Sequence, residues 1–468
     1  MCEEKRSELL AKELIYKKKN VFEAKSADER AAMMAFAEDY KKWLDTSKTE
    51  REAVDTMVEM LSAAGFREYN LGDEVKAGDR LYLNNRGKSL FAITVGTKNI
   101  EDGVRITAFH IDSPRLDLKP CPLYENEGVG YFKTHYYGGV RKYQWATIPL
   151  ALHGVITKAD GSLVKVNIGE DAGDPVFCIS DLLPHLAKDQ AQKTLSQAFT
   201  GEGLNIMVCT SPYMDGDEVV KDEGVKLNVM AMLNEKYGIV EADFLSAELE
   251  IVPAGKSVDV GLDRWLIGGY GHDDRCCAYT SLKAIMGAGE TEYTNIVAFA
   301  DKEETGSCGV SGMKCSLLID IIENLAKAMG ANPTVVRSKS ICLSADVAAA
   351  YDPNYPEVYE KRNSAILHSG VALAKYTGSG GKGNTNDTSA EVVGFVRGMF
   401  DSENVIWQLA ELGRVDQGGG GTVAMYVSQF NIDTIDIGVP VISMHAPFEV
   451  ISKADLYEAY EAFVAFCK

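Results

Sequence analysis

The sequence predicts an α/β fold, with a mixed, mostly parallel sheet covered by helices on both faces and interrupted by an inserted β-rich domain. Over residues 254–468, apolar runs of strand length alternate with helical segments, the pattern of a largely parallel sheet. Residues 123–253 instead contain many short β-like runs separated by Gly and Asp turns. A chain of 468 residues exceeds one typical core. We therefore predict one domain from residues 1–122 plus 254–468 and an inserted domain from residues 123–253.

The first segment is predicted to begin with helices and continue with short strands. The capping boxes at residues 26–29 and 49–52 predict helices that run to about Thr46 and to Gly65. Strands follow at residues 80–83, 89–96 and 104–110, separated by Gly, Asn and Asp turns. Because the strand at residues 104–110 comes before the insertion, we expect it in the same sheet as the later strands.

The insertion and the second half of the chain differ in their patterns. In the insertion we predict strands at residues 147–157 and 163–168, together with a helix at residues 179–192. After the insertion we predict helices at residues 275–287, 312–329, 388–399 and 403–413 and after Ser452, and strands at residues 295–301, 340–346, 434–438 and 441–445. The glycine-rich stretches 377–383 and 418–421 are short, which indicates site or contact loops rather than linkers.

Composition excludes several classes of protein. The formal net charge is −20, from 68 acidic and 48 basic residues, which disfavours binding to nucleic acid or to an anionic membrane surface. No apolar run approaches the length of a membrane span, and the first residues have no signal-peptide pattern. The ten cysteines lack paired metal-binding spacing and suit reduced core positions. We expect a cytoplasmic protein.

The candidate catalytic and metal-binding residues lie at the ends of predicted strands and at the start of one predicted helix. Five such positions carry only His, Asp or Glu: they are His110, Asp273 with Asp274, Glu303 with Glu304, Asp346 and His445. One acidic pair after a strand is also typical of a solvated loop. Five such ends are harder to explain that way, because the carboxyl edge of a parallel sheet is where α/β proteins place their sites.

The residue types favour a pair of metal ions. Two imidazoles and three carboxylates are too many ligands for one tetrahedral zinc with an open position. They suit two ions bridged by one carboxylate, each with a further His and carboxylate, which can together polarise a carbonyl or phosphoryl oxygen. Because neighbouring residues of an extended chain point in opposite directions, Glu303 and Glu304 would divide the work between a ligand and a general base.

These motifs together resemble the M18 metallopeptidases, the family of aminopeptidase I and aspartyl aminopeptidase. The resemblance covers nearly the whole chain in order, and its sharpest element is the His-x-Asp-Ser-Pro stretch that begins at His110. The matching segments are residues 110–120, 271–275, 301–306, 344–346 and 443–445. The resemblance implies a two-zinc exopeptidase fold and removal of single N-terminal residues from peptides. Cobalt or manganese can occupy similar His, Asp and Glu ligands in place of zinc.

The resemblance also implies a role for each site residue. Asp273 would bridge two zinc ions, with Asp274 as the alternative, and the bond after the bridging acid would be cis. His110 and Asp346 would complete one site, and Glu304 and His445 the other. Glu303 would be the general base. Asp112 would orient His110.

Substrate choice and assembly are also implied by the resemblance. In this family the inserted domain makes dimer contacts, and dimers build a tetrahedral dodecamer. His185 matches a histidine that can reach the neighbouring subunit's site, although Asp189 replaces the second histidine of the eukaryotic aspartyl members. Lys375 matches a lysine suited to an acidic substrate side chain. The glycines around residues 378–383 are nearer to the aminopeptidase I branch, which favours neutral or broad specificity over Asp and Glu.

Three other functions remain as alternatives. A two-metal phosphoesterase shares the metal chemistry, but neither glycine-rich stretch has the P-loop pattern. A catalytically dead assembly scaffold predicts a broken ligand set, whereas every ligand type is present here. A serine or cysteine hydrolase is disfavoured because no Gly-x-Ser-x-Gly motif occurs.

Overall fold

The computed structural model describes residues 5–468, and all bounds below refer to that range. The α-helices are α1 (Arg6–Leu14), α2 (Val21–Ala24), α3 (Ala27–Asp45), α4 (Glu50–Ala63), α5 (Leu195–Ala198), α6 (Gly224–Tyr237), α7 (His272–Gly287), α8 (Leu317–Ala328), α9 (Pro333–Ser338), α10 (Ala390–Ser402), α11 (Ala424–Ser428) and α12 (Lys453–Cys467). The strands are β1 (Arg67–Glu68), β2 (Arg80–Asn85), β3 (Ser89–Thr94), β4 (Val104–His110), β5 (Arg115–Asn126), β6 (Val129–Tyr137), β7 (Leu150–Thr157), β8 (Leu163–Ile168), β9 (Ile206–Cys209), β10 (Met214–Asp215), β11 (Glu218–Val219), β12 (Ala247–Pro253), β13 (Val258–Val260), β14 (Leu266–Gly269), β15 (Thr294–Ala300), β16 (Ile341–Ala345), β17 (Ala348–Ala349), β18 (Val371–Ala374), β19 (Trp407–Leu409), β20 (Asp433–Gly438), β21 (Pro440–Ile442) and β22 (Glu449–Ser452).

The largest sheet has nine strands in the order β1-β2-β3-β15-β4-β16-β20-β18-β19. Five of its eight neighbouring pairs are parallel, so the sheet is mixed and mostly parallel, as predicted. Strand β4 lies between β15 and β16, although the whole insertion separates it from them in the chain. The expectation that residues 104–110 join the later strands is confirmed.

Helices cover both faces of this sheet because its central strands are apolar on both sides. Phe109 and Phe299 are direct partners on β4 and β15, and their rings meet edge to face with centroids 4.8 Å apart. They belong to the core shared with helices α3, α4, α7, α10 and α12. The alternate residues Ala108 and Ala298 belong to the opposite core, beneath α8, α9 and α11.

The predicted insertion contributes a separate antiparallel sheet in the order β8-β7-β12-β5-β6-β9. Its core includes Leu116, Leu152 and Ile251, which are fully buried or nearly so. Helix α6, which the sequence did not predict, packs into the same core. The sheet draws its strands from Arg115 to Pro253, so β5 already begins before the predicted boundary at residue 123. The division into two domains stays a prediction.

A five-stranded sheet in the order β13-β14-β22-β21-β17 was not predicted. It contains the beginning of the apolar run 441–445, which we had expected to form a strand that ends at the edge of the main sheet. That expectation is wrong: β21 ends at Ile442, pairs with β17 and β22, and leaves His445 in the turn that follows.

Two predicted helices are also wrong. Residues 179–192 form turns and one 3₁₀ turn at Gln190–Gln192, because Pro184 removes a donor and most of the stretch is exposed, without a packing face. Residues 403–413 contain β19, which pairs in parallel with β18. A short apolar run fits either a strand or a buried helix, and here the pairing decides.

Two further expectations concern membranes and cysteines. Within residues 5–468, no helix has both the length and the apolar character needed to cross a bilayer. The nine cysteines in that range are all free, and Cys276, Cys277, Cys342 and Cys467 are buried. These four pack in the core, whereas Cys121 and Cys308 are exposed, so the expectation of core positions holds only in part.

Candidate metal centre

Three of the candidate positions meet at one edge of the main sheet. His110 is the last residue of β4, Glu303 and Glu304 begin a 3₁₀ turn just after β15, and Asp346 follows β16. Strands β15, β4 and β16 are parallel neighbours, so their carboxyl ends lie side by side. The sequence predicted this arrangement from the strand ends alone.

Two further residues reach the same place from other elements. Asp273 lies at the start of α7, before its regular turns, where its side chain is buried. His445 lies in the turn between β21 and β22 with a φ of 64°. Its backbone N–H donates to Glu449 Oε1 at 2.7 Å, and the other oxygen of Glu449 accepts from the backbone N–H of Asp273 at 3.0 Å. Glu449 therefore ties the turn to the helix start.

The side chains form two clusters that share Asp273. His110 Nε2 lies 3.1 Å from Asp273 Oδ1 and 3.8 Å from Asp346 Oδ1. His445 Nε2 lies 3.2 Å from Asp273 Oδ2 and 3.5 Å from Glu304 Oε1. In each cluster the three ligand atoms lie within 4.8 Å of one another. Each oxygen of Asp273 thus serves one cluster, as a bridging carboxylate requires.

The hydrogen bonds of the two histidines direct Nε2 of each ring toward the shared carboxylate. His110 Nδ1 lies 2.9 Å from the carbonyl oxygen of Asp112, and His445 Nδ1 lies 3.2 Å from that of Gly139. A carbonyl can only accept, so in both rings Nδ1 carries a hydrogen, and Nε2 is the atom that can bind either a proton or a metal ion. Asp273 Oδ1 and Glu304 Oε1 are buried without a hydrogen-bond donor. Lone pairs that converge in this way suit a cation.

Electrostatics also indicate an uncompensated negative charge. Burial and the neighbouring Asp273 carboxylate raise the pKa of Glu304 well above its usual value, and burial is the main cause of the raised pKa of Asp346. Burial alone would lower the pKa of His445, but the Asp273, Glu304 and Glu449 carboxylates together outweigh it and raise that pKa to about 10. Divalent cations would replace the protons that these groups otherwise hold. The residues therefore fit the metal pair that the sequence predicted.

Asp112 organises the turn that carries the two glutamates. It is fully buried, and its two carboxylate oxygens accept the backbone N–H groups of Glu303 and Glu304 at 3.1 and 3.2 Å. Its Oδ1 also lies 3.4 Å from His110 Nδ1. We had expected Asp112 to orient His110. It contacts that ring mainly through its backbone carbonyl, while its carboxylate holds the glutamates.

The two adjacent aspartates at the start of α7 have different surroundings. The peptide bond between Asp273 and Asp274 is cis. Asp273 lies between the two histidines, whereas Asp274 groups with Cys276 and Cys277. Burial raises the pKa of Asp274 well above its usual value. Of the two alternatives left open by the sequence, Asp273 therefore has the geometry of a bridging ligand.

A cavity of about 300 Å³ opens beside the two clusters. His110, Asp273, Glu303, Glu304, Asp346 and His445 form part of its wall. Most of the rest is small or apolar: Val347, Ala348, Ala349, Ala372, Ala374, Thr377, Ala410, Leu412, Gly419, Gly420, Gly421, Thr422, Ile437, Gly438 and Met444. Two further acids, Glu411 and Asp436, complete it, and no described residue in this wall is Lys or Arg.

The two predicted substrate residues lie elsewhere in this subunit. Lys375 is exposed at the end of β18 and does not line the cavity, whereas Ala372 and Ala374 do. Alternation along a strand turns the intervening and following side chains to the other side. His185 lies in an exposed stretch beside Leu183 and Leu186, also outside the cavity wall. Both roles stay predictions.

Sequence reasoning missed Glu449, Asp436 and the contact of Gly139 with His445. Glu449 and Asp436 each stand next to isoleucine or valine in a short strand, a signal that could have marked them as buried and functional. The contact of Gly139 had no such signal, because it depends on how the inserted sheet packs against the turn after β21.

Comparison with known proteins supports the same chemistry. The model of the aminopeptidase I zinc metalloprotease family (M18) matches residues 43–467. The probable M18 family aminopeptidase 1 of Clostridium acetobutylicum is 45% identical over 462 residues, which is 97% of this chain and 99% of that protein. The crystal structure of the M18 aminopeptidase from Thermotoga maritima matches with a TM-score of 0.91 at 43% identity, covering 97% of this chain and 99% of that one. The mApe1 dodecamer of S. cerevisiae shares the fold at 23% identity with a TM-score of 0.75, covering 92% of this chain and 95% of that one.

Proposed function

Because the chain belongs to the aminopeptidase I family of zinc metalloproteases (M18), we propose that Asp273 and the two histidines would help to hold two zinc ions. We propose that the enzyme removes single neutral residues from peptide N termini. That the protein is a zinc aminopeptidase follows from the family. The number of ions, the ligand set and the substrate class are our proposal, and the convergence of lone pairs around Asp273 carries it.

The proposed ligands divide into two sets around the shared carboxylate. His110 and Asp346 would hold one ion with Asp273, and Glu304 and His445 would hold the other with Asp273, because each histidine lies within 3.8 Å of its two carboxylates. Zinc suits such nitrogen and oxygen donors, and cobalt or manganese can occupy similar ligands. When bound, the metal pair polarises the scissile carbonyl and makes a water molecule more acidic.

Glu303 is the proposed general base. Burial and the neighbouring Asp346 and Asp112 carboxylates raise the pKa of Glu303 to about 8, which reports how strongly this pocket disfavours a further negative charge. Bound dications would lower that pKa and leave the carboxylate free to accept. It takes one proton from the attacking water and returns it to the leaving nitrogen as the peptide C–N bond breaks. The products are a free amino acid and a peptide shorter by one residue.

Cavity composition supports neutral rather than acidic substrates. An Asp or Glu side chain would need a cationic partner, but none of the described residues in the wall is Lys or Arg. The two additional acids would repel it. Asp436 is buried and accepts hydrogen bonds from Ser344 and Thr422 at 2.9 and 2.7 Å, and Glu411 accepts one from Tyr376 at 2.5 Å. The apolar remainder of the wall suits Ala, Leu or Met.

We expect neutral aminoacyl-p-nitroanilides to be cleaved and acidic ones to be poor substrates. Initial rates on the Leu, Met, Ala, Asp and Glu derivatives test this, each with and without a metal chelator. Removing the metals should abolish every rate, and re-adding zinc should restore it. A preference for Asp or Glu would contradict the neutral assignment and favour the aspartyl alternative with Lys375 as its determinant. Chelator-resistant cleavage would contradict the metal mechanism.

We further propose that the enzyme is cytoplasmic and that it assembles through its inserted domain into dimers and then a tetrahedral dodecamer, as the resemblance implies. Leu182, Leu183 and Leu186 are 49–68% exposed and lie near His185 in the chain. Exposed leucines in one short stretch are typical of a surface that a protein partner covers.

The assembly proposal predicts a native mass near twelve subunits and a dependence on these leucines. The double variant Leu183→Asp, Leu186→Asp should shift light-scattering mass to a smaller species, because charged side chains disfavour a buried apolar contact. Leu71→Asp, at an exposed turn elsewhere, is the matched control and should keep the large mass. An unchanged mass in the double variant, with a normal melting temperature, would argue against this surface.

A further inference from the structure

The segment Tyr137–Gly139, at the end of β6 in the inserted sheet, contacts three different parts of the metal centre. We propose that this positioning segment orients the metal ligands, so that the insertion helps build the active site in addition to any role in assembly. Tyr137 contributes its side-chain hydroxyl, Gly138 packs against a glutamate, and Gly139 contributes its backbone carbonyl. The inference rests on the ligand set proposed above.

Tyr137 acts on the carboxylate that organises the glutamates. Its hydroxyl donates to Asp112 Oδ2 at 2.8 Å, the same oxygen that accepts the backbone N–H of Glu304. A donor here favours one orientation of the carboxylate and so of the turn that carries the glutamates. Some residues do not bind the metal themselves but hold its ligands in this way. Mutation of such a residue commonly lowers metal affinity or activity about 10–100-fold.

The guanidinium group of Arg115 packs against one face of the Tyr137 ring. Arg115 is its direct partner across β5 and β6, and the guanidinium carbon lies 3.9 Å from the ring centroid. Arg115 is buried and forms ion pairs with Glu250 at 3.1 Å and with Glu50, in the first turn of α4, at 3.4 Å. The tyrosine is therefore supported by both the inserted sheet and a helix of the main sheet.

Gly139 orients His445. Its carbonyl accepts the Nδ1 hydrogen of that ring at 3.2 Å, which leaves Nε2 toward Asp273 and Glu304. A Cβ atom on Gly139 would lie 2.8 Å from His445 Nδ1, so a larger residue would push the ring away. The close approach explains why this position holds a glycine.

Gly138 packs against Glu304. It has a φ of +72°, and a Cβ atom there would lie 3.1 Å from both Cβ and Oε2 of that glutamate. Gly128, in the turn at the other end of β6, has a similar φ of +77° but open space around it. An alanine strains the backbone alike at both positions. Only an alanine at position 138 would also press against Glu304, a proposed metal ligand.

The test compares two variants with two matched controls. Tyr137→Phe removes the hydroxyl and Gly138→Ala adds the methyl group, while Tyr136→Phe and Gly128→Ala make the same changes away from the metal centre. Tyr136 is 42% exposed. Zinc affinity is measured on metal-free protein by competition with a chromophoric chelator, together with kcat, KM and the melting temperature of the metal-free form.

We expect Tyr137→Phe and Gly138→Ala to lower zinc affinity by about 10–100-fold and to lower kcat more than they raise KM. The controls should match the unaltered protein in zinc affinity. For Tyr137→Phe, the metal-free melting temperature should stay near that of its control, which separates positioning from a general loss of stability.

Two results would overturn the inference. If the unaltered protein binds two zinc ions but both variants match their controls in affinity and kcat, the segment does not position the ligands, although the proposed function stands. If the unaltered protein binds fewer than two ions, the proposed ligand set fails and the positioning role fails with it.

Discussion

Replacing Glu303 by Gln should leave both metal ions bound and lower kcat by about 10²–10⁴-fold, the usual contribution of a general base. Gln has the same shape but cannot take a proton from water. KM should change little, because Glu303 contributes to the transition state more than to substrate binding. Initial rates on Leu-p-nitroanilide and zinc content by mass spectrometry measure the two effects.

The Glu303 experiment needs a charge-matched control and has a clear contrary result. Glu391→Gln, on the exposed start of α10, removes the same charge far from the metal centre and should retain full activity. An active Glu303→Gln variant with normal zinc content would exclude this residue as the base. Loss of zinc in that variant would instead make Glu303 a ligand, as its grouping with His110 and Glu304 allows.

Replacing Asp273 by Asn should abolish activity and reduce the zinc content by more than one ion per subunit. Each oxygen of Asp273 faces a different histidine, and the amide lacks the charge and one of the two acceptor oxygens. His445→Ala removes a ligand from one cluster only, so that variant should keep about one ion, as expected for two separate ligand sets. Zinc content after dialysis against zinc buffer decides between these stoichiometries.

The zinc contents of the Asp273→Asn and His445→Ala variants, compared with each other, test whether Asp273 bridges the two ions. Equal zinc content in Asp273→Asn and His445→Ala would mean that Asp273 serves a single ion. Asp274→Asn is the matched control, because its carboxyl is buried beside Cys276 and Cys277 rather than between the histidines. It should retain more zinc than Asp273→Asn. The reverse order would move the bridge to Asp274.

Local chemistry explains why parts of the fold could be predicted from the sequence. The capping boxes at Ser26 and Thr49 are confirmed. They were predictable because each box is formed by side-chain and backbone groups within four residues of one another. The central strands β4, β15 and β16 were predictable because both of their faces are largely buried, so most of the residues in each are apolar. His110, Asp346 and the two glutamates follow those strands directly, and the parallel pairing brings them together.

Elements whose stability comes from distant partners could not be predicted in this way. The segment of residues 403–413 contains a strand because β18 lies beside it, and no short-range pattern records that neighbour. Residues 179–192 have helix-forming side chains, but they lack a surface to pack on within the subunit. Helix α6 is also held by the inserted sheet, whose packing its own sequence does not reveal.

The sequence by itself determined the sheet, the ligand types and the edge at which most of them lie, because strand ends and ligands are neighbours in the chain. Only the tertiary structure decided that Asp273 rather than Asp274 faces both histidines. It also decided that His445 approaches Asp273 from a turn of a second sheet. Only the tertiary structure brought Tyr137 and Gly139 onto Asp112 and His445. The physical reason is that such contacts join residues far apart in the chain, and their geometry depends on how separate sheets pack rather than on local preference.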